Sequence, residues 1–290
     1  MTAAPAADLA VVIVNYNTGD WLARCLDSIE AARGEVSTDV VVIDNASHDR
    51  SADAAEAAGV RLIRNPANHY LSPAWNQGAA ETDAPFVLFL NPDTEWFRGT
   101  LADLVDAARR HPRAGIVGPM LRNPDGTVYP SGRRFPSITN AVAHAFVSPI
   151  TRDNRFTRRY EMNGWDRTTE REVDWVSGAC MLFPRAAFDE MGGFDEGFPL
   201  YAEELDIATR LRDAGWSVVF TPEAEVIHAV GVSTGGDGRP HRLVVMHSNS
   251  LYRYYRLHRA AGWRRVTLPA AWLALRVRAE VAWLIGKVRA

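Results

Sequence analysis

The chain has almost no cysteine, no long apolar run and no marked excess of charge, and each lack removes a class of answer. Only Cys25 and Cys180 occur in 290 residues. Both stand in apolar company and read as small buried hydrophobes rather than a disulfide framework. No run approaches about 18 apolar residues, so a membrane-spanning helix is not expected. The net charge of −3 gives no reason to expect nucleic acid as a partner. Met1 to Asp8 lacks the basic start and apolar centre of a secretion signal, which points to a cytoplasmic protein. There is no Walker loop, no Gly-x-Gly-x-x-Gly after the first strand and no Cys/His metal spacing, so ATP hydrolysis, hydride transfer and zinc chemistry lose ground.

What is present is a globular composition, 47% apolar, in which strands and helices alternate. Leu9 to Val14 is continuous aliphatic sequence ending on Asn15-Tyr16-Asn17-Thr18-Gly19, a first strand and its turn. A helix follows, with Trp21, Leu22, Cys25, Leu26 and Ile29 at helical spacing and Thr18 or Asp20 as its cap. Val40 to Ile43 is a second strand ending on Asp44-Asn45-Ala46-Ser47. A helix over 52–58, a strand from Val60 to Ile63 and a helix from Ser72 to Glu81 carrying Asn76 come next. Phe86 to Leu90 suits a strand buried on both faces, and Asn91-Pro92-Asp93 ends it by putting a proline where the ladder needs a donor. This order predicts a mostly parallel, doubly wound α/β sheet with right-handed crossovers. The polar clusters then share one edge, beyond the carboxyl ends of the strands, where open α/β sheets bind ligands.

The second half is less regular. Gly99 to His111 is an amphipathic helix, and Gly115 to Leu121 leads into Asn123-Pro124-Asp125-Gly126, a turn between two extended pieces. Residues 133–172 have few core positions apart from Ile138 to Val147 and read as a short helix and a mobile insertion over the cleft. Val173 to Phe183 reads as a strand interrupted by Ser177-Gly178. Tyr201-Ala202-Glu203-Glu204-Leu205-Asp206 opens a helix whose core face is Ile207, Leu211 and Ala214. Three carboxylates in a first turn suit the helix dipole, so a structural reason stands beside a catalytic one. Strands follow at Val218 to Phe220 and Glu225 to Ala229, the latter with His228. The Gly-rich stretch 231–238 must be flexible, and with Pro240 where a helix would begin it is not a nucleophile elbow. Helices over His241 to His258 and Leu268 to Arg289 close the chain. The last is basic, with Trp272 and Trp283 on its apolar side, which suits a membrane interface with anionic lipid; packing on the domain explains it equally well.

Two acidic centres carry the chemistry: Asp93 on a strand-end loop, and Glu203, Glu204 and Asp206 on the later helix. A divalent metal at Asp93 would neutralise a diphosphate leaving group while a carboxylate across the cleft deprotonates an attacking hydroxyl. That is transfer of a sugar from a nucleotide. A sugar-phosphate nucleotidylyltransferase would need a basic Gly-rich loop after the first strand, and Asn15 to Asp20 has no lysine or arginine.

Six motifs now carry a resemblance. Val-Ile-Val-Asn-Tyr-Asn (12–17), Val-Ile-Asp-Asn-Ala-Ser (42–47), Leu-Asn-Pro-Asp (90–93), Trp-Val-Ser-Gly-Ala-Cys (175–180), Gly-Gly-Phe-Asp-Glu (192–196) and Tyr-x-Glu-Glu-x-Asp (201–206) resemble family 2 glycosyltransferases of the GT-A fold. The likeness runs from about Leu9 to His258. His-Pro-Arg-Ala-Gly (111–115) and the stretch from Asn123 to Ser131 are most similar to actinobacterial rhamnosyltransferases, which act on a polyprenyl-diphosphate-linked N-acetylglucosamine.

The resemblance implies roles. Asp44 would bond the pyrimidine, with Asn15, Tyr16, Asn17, Asn45, Asn76 and Asn91 on the nucleotide side. Asp93 matches the last acid of the family's Asp-x-Asp motif and, with His228, would hold Mg²⁺ or Mn²⁺; Asn91 fills the first acidic place without a charge. Trp175, Ser177 and Gly178 would line the acceptor site. Glu204 stands where the family usually has an aspartate base, and its extra methylene moves the carboxylate by roughly an ångström, enough to cost about a hundredfold. Either the backbone compensates or Glu203 is the base; Glu204 is favoured, with Asp206 beside them. His69 and Ala74 replace common glycines and would narrow the donor pocket.

The expected division is a catalytic unit over 1–238, its nucleotide-binding half about 9–122 and its acceptor half about 123–238, and a helical extension over 239–290. The implied donor is a dTDP- or UDP-linked sugar, first of all dTDP-rhamnose, and the acceptor a lipid-linked saccharide or oligosaccharide. Residues 264–290 would make peripheral contact with the inner face of the plasma membrane, and the reading admits a homodimer. The competing reading is a nucleotide-sugar-binding scaffold that has lost turnover, suggested by Asn91, Glu204 and the missing glycines.

Overall fold

A run of seven residues with no exposed position, Leu9–Asn15 (β1), forms the spine of the sheet. Such a strand needs cover on both faces and a neighbour on both edges. It runs parallel to Thr38–Asp44 (β2) on one side and to Phe86–Leu90 (β4) on the other, while β2 pairs in parallel with Arg61–Arg64 (β3). The computed structural model of the protein describes residues 7–135, 158, 160–162, 164–229 and 240–289. The further strands are Thr94–Trp96 (β5), Ala114–Arg122 (β6), Val128–Tyr129 (β7), Arg171–Val173 (β8), Cys180–Pro184 (β9) and Ser217–His228 (β10). Their order is β3-β2-β1-β4-β9-β6-β10-β5, with β7 on β6 and β8 on β10. The expected mostly parallel α/β sheet is there, with β9 running antiparallel inside it between β4 and β6, and the short strands β5, β7 and β8 adding antiparallel to β10 and β6.

Helices cover both faces. Trp21–Ala32 (α1), Asp53–Ala57 (α2) and Thr100–Arg110 (α4) bury Leu22, Leu26, Ala55, Leu101 and Leu104 on one side. Ser72–Ala80 (α3), Arg185–Glu190 (α5) and Glu203–Asp213 (α6) bury Trp75, Phe188, Leu205 and Leu211 on the other. There Trp75, Phe89, Phe183, Phe188 and Phe194 stack with ring centroids 4.9–5.9 Å apart, tilted or edge-on as aromatic quadrupoles favour. Both cysteines are buried and free, and desolvation pushes the Cys25 thiol up to about 12, which keeps it inert.

His241–His258 (α7) docks on α6, where the Thr209 and Tyr254 hydroxyls meet at 3.0 Å. Leu268–Arg289 (α8) returns antiparallel along α7: His241 meets Glu280 at 3.0 Å and the Trp283 ring at 4.8 Å, while the Tyr255 hydroxyl meets Thr267 at the other end. No helix of the described residues is long and apolar enough to cross a membrane.

The structure corrects several expectations. Val173 to Phe183 is not one strand: 174–179 leaves the sheet, so that β8 pairs with β10 and β9 with β4. The strands at Val218 to Phe220 and Glu225 to Ala229 are one, β10, with a register shift between Thr221 and Glu225 against β6. Ala214 lies exposed beyond the end of α6 rather than on its core face. Neither Thr18 nor Asp20 caps α1 through its side chain; the Thr18 hydroxyl bonds Asn15 instead. The helix expected within Ile138 to Val147 and the flexible stretch 231–238 lie outside the described residues.

The close seating of α3 on the sheet depends on Gly78, where an added Cβ would overlap the Val12 side chain. Gly78→Ala should lower unfolding free energy by about 1–3 kcal/mol, read as a reduced urea midpoint at unchanged m-value.

Candidate active site

The sheet's strand order reverses between β1 and β4, and the crevice beyond their carboxyl ends is where polar side chains collect. Asn15, the last residue of β1, is fully buried, and its amide donates to Asp44 Oδ1 at 2.8 Å, Ser51 at 2.8 Å and Ser47 at 3.2 Å while Oδ1 accepts from Thr18. It is a node that ties three turns together. Asp44 accepts from Asn15 and from the Ser47 hydroxyl and amide. A carboxylate has about four acceptor positions, so one on Oδ2 is left for a ligand. Asn45 is likewise engaged, donating to the Tyr70 carbonyl at 2.7 Å and accepting from Asn65 at 2.9 Å. Asn17 accepts from the His48 amide, and Tyr16 is half-buried beside it. Asn17, Ala46 and Tyr70 all have positive φ (53°, 61° and 64°), the backbone strain that collects around binding sites.

Asp93 and His228 come from elements far apart in sequence and meet. The Asp93 carbonyl accepts the Ala229 amide at 2.9 Å, and β5 pairs His228 with Thr94. As a result His228 Nε2 lies 3.3 Å from Asp93 Oδ1, both side chains nearly buried. Two ligands at about 2.1 Å from one octahedral cation, at right angles, are about 3 Å apart, so the pair fits a divalent ion. The described residues contain no group of three or more His, Cys, Asp or Glu that could hold a metal ion, so a cation bound by this pair would take its other ligands from substrate oxygens and water, the usual arrangement at diphosphates.

The second acidic centre lies next door. β9 is inverted, so its amino end reaches the crevice: the Asn91 amide donates to the Ala179 carbonyl at 2.9 Å, and a Cβ at Gly178 would stand 3.7 Å from Glu203 Oε1 and 4.0 Å from Glu204 Cβ. The β4 end that carries Asp93 and the α6 start that carries the carboxylates thus flank one junction. Tyr201 and Ala202, just before Glu203, both have positive φ (68° and 65°). Each glutamate has a buried Oε2 with no hydrogen-bond partner among the described residues. Desolvation, and then the charge of Glu204, hold the Glu203 carboxyl well above its ordinary value. Desolvation also raises Glu204, with backbone hydrogen bonding and then the Arg133 guanidinium offsetting part of the rise. Of the two, Glu204 is the better placed to be an ionised base.

Arg133 is the residue that sequence reasoning missed. It bridges to Trp175 through the backbone, donates to Tyr129 Oη at 2.8 Å and the Pro130 carbonyl at 2.7 Å, and stands 5.0–5.7 Å from the Trp175, Tyr129 and Tyr160 ring centroids. Cation–π contact of this kind holds a guanidinium in a desolvated place.

Other expected residues have different tasks. Asp206 is not a base: its carboxylate is clamped by Arg210 and His258, both at 2.7 Å, and fixes α6 to α7. Asn76 holds the Phe194 backbone with both amide atoms and donates to Glu196, rather than opening to the crevice. Trp175 is buried with its indole donating to the Arg134 carbonyl, so it shapes the acceptor loop from below. Ser177 and Gly178 are half-buried on that loop, as is Asn91 at the end of β4. Ala74 is in the core, where its methyl cannot narrow the crevice, and His69 is exposed.

The chain is similar to known proteins over most of its length. The family model described as Glycosyl transferase family 2 matches residues 10–192, and that described as Glycosyl transferase family group 2 matches 131–282. N-acetylglucosaminyl-diphospho-decaprenol L-rhamnosyltransferase of Mycobacterium tuberculosis is 39% identical over 273 residues, 90% of this chain and 87% of the relative. Among solved structures, mannosyltransferase PcManGT from Pyrobaculum calidifontis, in complex with GDP-Man and Mn²⁺, aligns with TM-score 0.60 and 18% identity over 98% of this chain and 74% of its own. GalNAc-T7 with UDP, GalNAc and Mn²⁺ aligns with TM-score 0.62 and 16% identity over 92% of this chain and 51% of its own. Both are likenesses of fold.

The two glutamates separate by titration. Glu204→Gln should cost about 10²–10⁴ in kcat, and Glu203→Gln far less. Arg133→Gln removes the influence that lowers Glu204, so the acidic limb of its kcat/KM profile should move to higher pH. Because the folded value of Glu203 lies above its unfolded 4.5, its contribution to stability is complete below pH 4.5 and is lost as pH rises through the folded value. Melting temperatures of Glu203→Gln should therefore fall less than the parent's as pH rises from 4.5.

Proposed function

The chain belongs to glycosyl transferase family 2, and from that premise we propose that it is an inverting rhamnosyltransferase that uses dTDP-rhamnose and a lipid-linked saccharide acceptor in the synthesis of a cell-wall or surface polysaccharide. The observation that supports this most is the placing of Asp93–His228 and Glu203–Glu204 on either side of the β4–β9 junction. One centre suits a leaving diphosphate and the other an incoming hydroxyl. The 39% identity to the decaprenol-linked rhamnosyltransferase supports donor and acceptor class.

In the reaction, Asp44 accepts the pyrimidine N–H through the open position on Oδ2, on a floor held rigid by Asn15. Asp93 and His228 would hold a divalent cation, Mg²⁺ or Mn²⁺, whose positive charge would favour departure of the nucleoside diphosphate. Glu204 takes the proton of the acceptor hydroxyl as its oxygen bonds to the anomeric carbon and the bond from that carbon to the diphosphate breaks. Attack from the face opposite the leaving group inverts the centre. Gly178, lacking a side chain, lets the acceptor approach the glutamates closely.

The tail supports contact with the inner leaflet. Leu273 and Leu284, exposed by 58% and 55%, follow one helical stripe along α8 with Val277 and Val281, and Trp263 and Val266, exposed by 76% and 75%, stand in the short turn just before it. Arg264, Arg265, Arg276 and Lys287 stand around it, the pattern of an interfacial helix on anionic lipid.

Transfer from dTDP-rhamnose to a prenyl-diphosphate N-acetylglucosamine is the direct test, with UDP-sugars as competitors; equal or better use of a UDP-sugar would overturn the donor assignment. Asp93→Ala should lower the rate on the order of 10²-fold or more, and chelation should abolish it until Mn²⁺ is restored. Leu273→Asp with Leu284→Asp should release the protein from phosphatidylglycerol vesicles in co-sedimentation while sparing nucleotide binding.

A further inference from the structure

A cleft of about 410 Å³ lies between α7 and the loop at 197–199 and shares no lining residue with the crevice described above. Its volume is within the roughly 300–1,000 Å³ of small-molecule sites. One face of α7 forms its wall, with Arg242, Val245, Met246, Asn249 and Arg253 recurring at helical spacing and Pro199 opposite. The chemistry is mixed in an ordered way. Arg242 is exposed and has no carboxylate partner among the described residues. Arg253 donates to Asp195 at 2.7 Å but leaves its Nε–H buried without a partner. Val245 and Met246 supply apolar surface between these cations.

The place of the cleft matters as much as its lining. The Ser250 hydroxyl of α7 donates to the Leu200 carbonyl at 2.9 Å, and the Pro199 carbonyl accepts the Leu71 amide at 2.7 Å. That loop continues through Tyr201 and Ala202 into Glu203. At the other end His241, next to Arg242, meets Glu280 and Trp283 of α8. The cleft therefore stands between the helix with the exposed apolar stripe and the carboxylates that face the acceptor.

We propose that this cleft holds the diphosphate and first isoprene units of a prenyl-diphosphate-linked acceptor, a reading that rests on the lipid-linked acceptor argued above. Arg242 and the Arg253 guanidinium take the anionic oxygens, the Asn249 amide donates alongside them, and Val245 with Met246 receives the hydrocarbon. The cleft has the cations that a diphosphate needs and no acidic pair to hold a metal, so it does not duplicate the donor crevice.

Farnesyl diphosphate, titrated in metal-free buffer with dTDP present to occupy the donor crevice, tests this directly. The parent should bind it more tightly than farnesol, and Arg242→Ala, a change at an exposed side chain with no carboxylate partner among the described residues, should weaken it by about tenfold or more with dTDP binding unchanged. In turnover the same variant should raise KM for a prenyl-diphosphate acceptor and leave KM for a soluble alkyl glycoside alone. Equal farnesyl diphosphate affinity in parent and variant would overturn the proposal. So would a variant that keeps that affinity and loses binding to phosphatidylglycerol vesicles, which would assign Arg242 to the bilayer. A protein that transfers no sugar but shows Arg242-dependent farnesyl diphosphate binding would end the transferase reading and leave the cleft's ligand standing.

Discussion

Two adjacent carboxyl groups at the start of α6 are taken out of water with one guanidinium set against them, and much of the acceptor side is arranged to hold that opposition. An uncompensated buried charge costs several kcal/mol, so the position of Arg133 is not free to drift. Three aromatic rings surround it and a backbone bridge to Trp175 anchors its strand segment. On the other side, the left-handed backbone at Tyr201 and Ala202 turns the chain so that Glu203 and Glu204 begin the helix where they do. Desolvation raises both glutamates, and an asymmetry follows because backbone hydrogen bonding and Arg133 offset part of the rise at Glu204 while the charge of Glu204 adds to it at Glu203.

The inverted strand is what brings this pair to the side of the crevice that carries Asp93 and His228. In a wholly parallel sheet only the carboxyl ends of strands reach the crevice, and loop 174–179 would lie at the far edge. With β9 reversed, the residues before it arrive beside the end of β4, and the Asn91–Ala179 hydrogen bond joins the two. Asp93 at the end of β4 and the loop before β9, which lies against the two glutamates, are therefore tied to one hydrogen-bonded sheet. The helix clamps complete the frame, with Asp206 binding α6 to α7 and Asn76 binding α3 to the loop after α5.

The parts of this plan that could be read from sequence are those encoded locally. The end of β4 is visible because Pro92 cannot continue a ladder, and the exit of β2 onto Asp44 because an aliphatic run stops on polar residues. Strand and helix alternation announces the sheet for the same reason. His228 needed the family resemblance, since one histidine on an apolar strand looks like core. Asp206 misleads because three carboxylates within one turn look alike, and the partner that settles its role, His258, is 52 residues further on. Arg133 was invisible on similar grounds: its surroundings are Tyr129, Tyr160 and Trp175, and nothing in the residues near it suggests a caged cation. The split of β8 from β9 depends on long-range pairing with β10 and β4, which local periodicity does not report.

The bridge between Arg133 and Trp175 joins positions far apart in sequence, and Tyr160, which lies between them, supplies one wall of the cage. Closing such a span costs an entropy that grows only logarithmically with its length. The order of the guanidinium therefore rests on a third foothold inside the span, and loss of that ring would loosen Arg133 while leaving both ends of the bridge in place.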